Sequence, residues 1–227
     1  MTLAQVLTAR QMRAAEQALF DMGTTVGALM EIAAGGAAEW IRRVAAGRAV
    51  TVLCGPGNKG GDGYVIARAL REAGNAVTVI APLAPKTEAA KDARARWNGP
   101  VGTAAGASGE VFVDCLFGSG LARPLIPEHV LLLRDLAARH RLSVAVDLPS
   151  GIATDSGVVL NERLPAFDLT LALGAWKYAH WSLPGRALMG QMRLVPIGIG
   201  PVERAAQLIA RPRIPAPAAD SHKYRRG

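Results

Sequence analysis

The segment from residue 54 to residue 63 has the residue types and the spacing of a loop that binds phosphate. It reads Cys-Gly-Pro-Gly-Asn-Lys-Gly-Gly-Asp-Gly, after the apolar run 49–53 and before the helix-like residues 64–70. Gly55, Gly57 and Gly60 satisfy the pattern G-x-G-x-x-G, in which glycines allow a tight turn while amide groups and the helix dipole face an anion. We therefore predict a strand, a phosphate-binding loop and a helix start here.

Two further polar segments follow apolar runs. Residues 113–121 read Val-Asp-Cys-Leu-Phe-Gly-Ser-Gly-Leu, and residues 146–151 read Val-Asp-Leu-Pro-Ser-Gly. In an open α/β sheet, ligands bind beyond the carboxyl ends of the strands. We therefore expect the glycine loop, Asp114 and Asp147 to converge on one crevice.

The elements that must position these residues are predicted from apolar runs at 49–54, 76–81, 111–116, 142–148, 169–173 and about 192–197. The runs are continuous, which is typical of strands covered on both faces, and helix-length segments separate several of them. Helices are predicted over 60–72, 86–97 and 125–140, and two more, over 9–22 and 24–43, are predicted to precede the sheet. This order predicts an α/β fold: a three-layer α/β/α, Rossmann-like, doubly wound and mostly parallel sheet.

Two of these helices carry further signals. Thr8 is placed to cap helix 9–22, and helix 24–43 has a face of small residues that packs either on the sheet or on another subunit. A homo-oligomer is also expected.

Composition excludes several classes of protein. Half of the 227 residues are hydrophobic, which indicates a globular domain, and the longest stretches without a charge are 13 residues, short of the roughly 20 that a membrane span needs. The first 20 residues lack the apolar core of a secretory signal, so a cytoplasmic location is expected. Cys54 and Cys115 have no partner at metal-ligand spacing and are predicted to be reduced and buried.

Half of the net charge of +8 lies at one end of the chain. Residues 211–227 hold five basic residues against one acid, and the rest of the excess is spread without interleaved aromatic residues, so a nucleic-acid partner is not predicted. From residue 211 the chain reads Arg-Pro-Arg-Ile-Pro-Ala-Pro, the composition of an extended linker. We place a domain at 1–210 and a separate segment at 211–227.

A glycine loop of this kind also suggests an NAD-dependent oxidoreductase. That class needs an acid near the end of the second strand to bind the ribose hydroxyls, but residues 80–85 read Ile-Ala-Pro-Leu-Ala-Pro and the first acid beyond them is Glu88. No redox cofactor is expected.

The three motifs, in order and spacing, resemble the signature segments of the NAD(P)H-hydrate epimerase family, the YjeF N-terminal domain, and residues 7–13 and 29–33 resemble its N-terminal helices. The resemblance covers nearly all of residues 5–200. It implies an isomerase that interconverts the R and S epimers of hydrated NADH and NADPH, a small-molecule substrate. Residues 220–227 resemble the start of the dehydratase domain of bifunctional bacterial proteins, which implies a fused dehydratase domain.

By this resemblance, the substrate site is lined by Asn58, Lys59, Gly60, Gly61, Asp62, Gly118, Ser119, Gly120, Leu121, Ala122, Arg123, Pro124 and Asp147. Inversion at a carbon that bears a hydroxyl and the ring nitrogen requires proton transfer, and Asp147 is the candidate acid or base. The alternative is that Asp147 caps the turn 149–151.

The resemblance also implies a potassium ion held by Asp114, Ser150 and the second Asn of an Asn-Asn pair. That second Asn is Lys59 here. We predict that Lys59 replaces the ion wholly or partly, by donating to Asp114 or to a phosphate oxygen. The alternatives are that Lys59 points into solvent and that Asp114 bonds to backbone amides of the turn 117–120.

Lys177, after the fifth apolar run, either reaches the crevice or lies on the surface, and we leave it out of the catalytic set. The four histidines, His129, His140, His180 and His222, have no pairing that suggests a role. A second function stays open, that of a non-catalytic nucleotide-binding or scaffold module, because relatives with this fold bind lipoprotein or assemble mRNA-decapping factors.

Overall fold

The computed structural model describes residues 4–107 and 109–209. Its helices are α1 (Ala9–Asp21), α2 (Val26–Ala45), α3 (Asn58–Glu72), α4 (Glu88–Ala95) and α5 (Pro127–Arg139). Its strands are β1 (Gln5–Leu7), β2 (Val50–Cys54), β3 (Val77–Ile80), β4 (Val101–Gly102), β5 (Gly109–Cys115), β6 (His140–Val146), β7 (Leu169–Leu173), β8 (Trp176–Lys177), β9 (Gln191–Val195) and β10 (Ala206–Gln207). The predicted segment 211–227 lies outside the described residues.

Seven strands form one sheet in the order β4-β3-β2-β5-β6-β7-β9, and every neighbouring pair is parallel. All five residues of β2 and of β7 are buried, which explains their continuous apolar sequences. The predicted parallel α/β sheet is confirmed. The chain adds β3 and β4 on one side of β2 and then crosses to β5 on the other, so the switch point of the topology lies between β2 and β5.

Helices cover both faces of this sheet. One core joins α2 and α3 to Val52 and other inward residues of β2, and a second core joins Leu133 and Leu136 of α5 to Phe112 and Ala145 on the opposite face. The small-residue face of α2 packs on the sheet, because its buried alanines belong to the first core. Of the two alternatives for that face, the intramolecular one is therefore correct.

A small second sheet, β10-β1-β8, was not predicted. Its strands are two or three residues long, too short to leave a periodic pattern. β1 runs parallel to β8 and pairs Leu7 with Lys177. The next residue, Thr8, caps α1 by accepting the Gln11 amide at 3.2 Å, as predicted. This sheet therefore fixes the start of α1 beside β8.

Among the described ranges, no helix is both long enough and apolar enough to cross a bilayer.

Candidate functional site

The site is a cavity of about 510 Å³ at the carboxyl ends of the central strands. Its wall combines the glycine loop after β2, the loop after β5, and the ends of β6 and β7, and α1 and α2 cover it. Eight residues predicted for the substrate site line it: Asn58, Lys59, Asp62, Gly118, Ser119, Gly120, Leu121 and Asp147. The predicted convergence of the three polar strand ends is therefore observed.

Other predicted residues are placed differently. Gly60 and Gly61 are buried within the first turn of α3, and Ala122, Arg123 and Pro124 are outside the set that lines the cavity. A Cβ atom on Gly60 would lie 1.8 Å from the carbonyl oxygen of Gly55. The structure thus explains Gly60 by the close approach of the helix to its own loop.

Sequence reasoning missed much of the α1 wall and one side chain at the floor. Met12, Glu16 and Phe20 line the cavity, and their four-residue spacing puts them on one face of α1. That spacing was a usable signal. Lys177 also lines the cavity but its side chain is buried, so the alternative of a surface lysine is wrong.

Asp147 and Lys177 form a buried ion pair. Lys177 Nζ donates to Asp147 Oδ1 and, at 2.6 Å, to the carbonyl oxygen of Leu173, while the Leu173 amide donates to Asp147 Oδ1 at 3.3 Å. These partners lie on β7 and β8, so the alternative that Asp147 caps the turn 149–151 is not what the structure has. The backbone of Asp147 is left-handed, with φ at 62°, which Asp tolerates better than most residues.

Two electrostatic effects on the pKa of the Asp147 carboxyl oppose each other. Burial alone raises the pKa of its carboxyl, but the charges of Lys177 and Lys59 outweigh burial and hold that pKa below the ordinary value. Asp147 is therefore a carboxylate at neutral pH.

His180 ties the backbones of this pair together. Its Nδ1 accepts the Lys177 amide at 2.8 Å, and its Nε2 lies 2.8 Å from the carbonyl oxygen of Asp147. These partners assign the proton to Nε2 of a neutral ring, and burial lowers the pKa of His180 to about 4. His180 is thus a structural partner of the site that the sequence did not reveal.

Two more carboxyl groups face the cavity, and the pKa of each is raised, in contrast to that of Asp147. Desolvation by the surrounding atoms raises the pKa of Asp62 to about 8, although the Lys59 charge offsets part of this. Desolvation also raises the pKa of Glu16, with Lys177 opposing. The cavity therefore combines an ionised Asp147 with an Asp62 that carries a proton near neutral pH, a separation that suits acid and base roles.

Asp114 is fully buried behind the cavity wall and bonded to β6's exit loop. Its Oδ1 accepts the Leu116 amide at 3.0 Å and the Ser150 hydroxyl at 2.8 Å, and its Oδ2 accepts the Ser150 amide at 2.8 Å. The Phe117 amide donates to Ser150 Oγ at 2.8 Å. Asp114 therefore does bond to backbone amides, although not to those of the turn 117–120.

Lys59 does not point into solvent. Its side chain is buried, and Nζ donates to the carbonyl oxygens of Val146 and, at 2.9 Å, of Leu148, on either side of Asp147. The hydrogen bonds of the described residues include none from Lys59 to Asp114. Within the same residues, no group of three His, Cys, Asp or Glu side chains is arranged to hold a metal ion.

Residues 26–179 match a family described as YjeF-related protein N-terminus. The NAD(P)H-hydrate epimerase of Roseobacter litoralis is 36% identical over 229 residues, covering 86% of this chain and 99% of that protein, and the one of Limosilactobacillus fermentum is 31% identical, covering 83% and 94%. The crystal structure of yeast ynu0 matches with a TM-score of 0.71, 23% identity and coverage of 84% and 87%, a likeness of fold.

Longer relatives also match. The bifunctional NAD(P)H-hydrate repair enzyme Nnr of Synechocystis sp. is 36% identical over 204 residues, which are 86% of this chain and 39% of that protein. The chain thus spans about two fifths of this relative and, at 43%, of the one from Thermosynechococcus vestitus.

Proposed function

The chain belongs to the family of the YjeF-related protein N-terminus, and we propose that it is an NAD(P)H-hydrate epimerase, an isomerase that interconverts the two epimers of hydrated NADH and NADPH. The observation that carries the proposal is the buried Asp147–Lys177 pair at the floor of a cavity whose wall includes the start of α3. A helix start accepts phosphate, and a positioned carboxylate moves protons. The relatives named as epimerases support the same activity.

The cavity offers different chemistry at its different walls. Gly57 and Asn58 lie at the start of α3, where amide groups and the helix dipole suit the pyrophosphate, and the loop 118–120 lines the same cavity. Asp147 and Asp62 then serve the hydrated nicotinamide ring. The dinucleotide is accordingly the substrate and not a coenzyme.

Two routes invert the hydrated carbon, and both use one base and one acid. In ring opening, a base removes the hydroxyl proton, the carbon–nitrogen bond breaks to leave an aldehyde, and an acid protonates the released nitrogen; closure on the other face reverses these steps. In dehydration, an acid protonates the hydroxyl, water leaves with assistance from the nitrogen lone pair, and water adds to the other face with loss of a proton to the base. We assign Asp147 as the base and Asp62 as the acid, because their pKa values are displaced in opposite directions.

We further infer that Lys59 takes the place of a potassium ion in this chain. Its ammonium supplies a single positive charge at the carbonyl oxygens of Val146 and Leu148, and the contacts of Asp114 are already hydrogen-bond donors. A potassium ion beside this ammonium would be repelled by its charge and would compete for the same carbonyl oxygens. No step of the reaction is assigned to potassium.

The scaffold alternative is disfavoured because its role needs no ionised carboxylate in a cavity. Burying Asp147 and Lys177 costs desolvation of both ions, and such groups concentrate at functional sites.

The deciding experiment starts from one pure epimer of hydrated NADH or NADPH and follows the appearance of the other by chromatography or proton NMR. We expect the protein to accelerate the exchange over the spontaneous rate. Tight binding of the hydrate without acceleration would favour the binding module, and hydride transfer would favour the oxidoreductase.

Three further features belong to the proposal. We expect a dehydratase domain to be fused to this one in the parent protein, in keeping with the bifunctional relatives. We expect the reaction in the cytoplasm, where the buried free thiols of Cys54 and Cys115 stay reduced. The expected homo-oligomer is checked by light scattering of the purified chain.

A further inference from the structure

Lys177 is an unusual side chain to bury. Its exposed fraction is 1%, and a lysine in that environment loses hydration that only well-placed acceptors restore. Here Asp147 Oδ1 and the Leu173 carbonyl oxygen are the acceptors. These two contacts are therefore what hold the Lys177 ammonium in its buried position.

The contacts make Lys177 part of the geometry of Asp147. Lys177 lies on β8, which β1 holds by parallel pairing, and His180 bonds to the backbone of both residues. The lysine charge is therefore fixed against the carboxylate by a separate small sheet and does not depend on a mobile side chain reaching in from solvent. An opposite charge fixed in direct contact with a carboxyl group favours the ionised form of that group.

We propose that Lys177 is the positioning residue of the site, which holds Asp147 in the ionised form and in one orientation so that it acts as the base of the proposed epimerisation. The inference rests on the proposed function only for the identity of the reaction. The contact between Lys177 and Asp147 is independent of that function.

The other charges around Asp147 do not bond to its carboxylate, although the charge of Lys59 also favours its ionised form. Lys59 is bonded to carbonyl oxygens on either side of Asp147, Asp62 and Glu16 carry charge of the wrong sign when ionised, and neutral His180 contacts the backbone. Arg13 lies in the cavity wall but is exposed. Lys177 alone among the described residues forms an ion pair with Asp147.

The test compares Lys177→Met, which keeps length and removes charge, with Lys177→Arg, which keeps charge, and with the exposed control Lys91→Met. The first readout needs no substrate: the chain is labelled with ¹³C-aspartate, and the Asp147 carboxyl signal, assigned by its loss in Asp147→Asn, is followed against pH. We expect its midpoint to rise by about one unit or more in Lys177→Met, as loss of a neighbouring opposite charge does, and to stay low in Lys91→Met. An unchanged midpoint in Lys177→Met overturns the proposal.

The second readout is the pH profile of kcat. In Lys177→Met we expect the acid limb to move to higher pH by as much as the carboxyl midpoint moves. At pH values below both midpoints kcat should fall about tenfold for each unit of that shift and recover as the pH rises, since there one pKa unit changes the ionised fraction tenfold. Lys177→Arg should recover much of this loss. A fall in kcat that is equal at every pH would overturn the proposal.

The double variant Asp147→Asn/Lys177→Met guards against a folding defect, because it removes both members of the buried pair together. We expect Lys177→Met to cost no more than about twofold in kcat when Asp147 is already Asn. A loss as large as that in the wild-type background would overturn the proposal. If wild-type protein lacks epimerase activity, the proposed function fails, and the carboxyl titration still decides the role of Lys177.

Discussion

Ser150 donates its backbone amide to Asp114 Oδ2 at 2.8 Å, and its hydroxyl lies 2.8 Å from Asp114 Oδ1. This contact joins the end of β5 to the loop after β6, next to the switch point of the sheet. Because Asp114 is fully buried, water cannot replace these bonds. The pair therefore fixes the relative position of two walls of the cavity.

We expect Asp114→Asn to destabilise the fold, because an amide NH₂ would then face donors that need an acceptor. The expected loss is about 1 to 3 kcal/mol in the free energy of unfolding, measured by urea titration. The control is Asp135→Asn, which breaks only an exposed pair with Arg139 and should cost less than about 1 kcal/mol. Equal losses in the two variants would contradict the assignment.

Gly60→Ala tests the close approach at the glycine loop. Its Cβ would lie 1.8 Å from the Gly55 carbonyl oxygen, so the helix start has to move, and we expect a loss of about 3 kcal/mol or more in stability. Gly57→Ala is the matched control, because its Cβ would meet no atom within 4 Å. Replacing the glycine N-cap of α3 should cost no more than about 1 kcal/mol. Thermal melts of the two proteins make the comparison, and similar melting temperatures would refute the packing role of Gly60.

The raised pKa of Asp62 predicts that the free energy of unfolding depends on pH. Its pKa rises from an ordinary 3.8 to about 8 on folding, so the folded chain binds this proton more tightly. The stabilisation is complete below about pH 4 and is lost as the pH rises through about 8. Relative to Asp62→Asn, which stays neutral, the wild type should therefore lose free energy of unfolding between those values. Urea titrations at several pH values measure the difference, and a constant difference would exclude the raised pKa.

Asp147→Asn tests the base. We expect epimer exchange to slow by about 10² to 10⁴, the usual contribution of a positioned acid or base. The control Asp92→Asn, on the exposed side of α4, should retain the wild-type rate. Retention of activity by Asp147→Asn would show that another group takes the proton.

Lys59→Asn tests the replacement of the ion, because it restores an oxygen ligand beside the carbonyl oxygens of Val146 and Leu148. We expect potassium to raise the melting temperature of Lys59→Asn and not that of Lys59→Met, since binding to the folded state alone stabilises it. Wild-type stability and exchange rate should be the same in potassium and in sodium. A strong response of the wild type to potassium would contradict our inference about Lys59.

The fold was predictable wherever one pattern dominated. Apolar runs gave the six main strands, with boundaries that agree within a few residues. Most of these strands are buried on both faces and therefore have continuous apolar sequences, whereas β9 is partly exposed and includes Arg193. β4 and the strands of the small sheet were missed because two or three residues carry no periodic signal, and β1 also pairs with partners far away in sequence.

Only part of the site could be predicted from local sequence in the same way. Motif order was enough to bring Asp62, Asp114 and Asp147 to one edge of the sheet, because parallel strands end together. It did not place Lys177, which the pairing of β1 with β8 carries to Asp147 across 30 positions of the chain.

The sequence by itself determined the parallel sheet, the glycine loop, the polar strand ends and the departure at Lys59, because each depends on residue types within a short segment. Only the tertiary structure decided what those groups touch. It bonded Lys59 to backbone carbonyl oxygens, paired Lys177 with Asp147, and set the opposite pKa displacements of Asp147 and Asp62. Those properties depend on burial and on charges from distant segments, which no local pattern specifies.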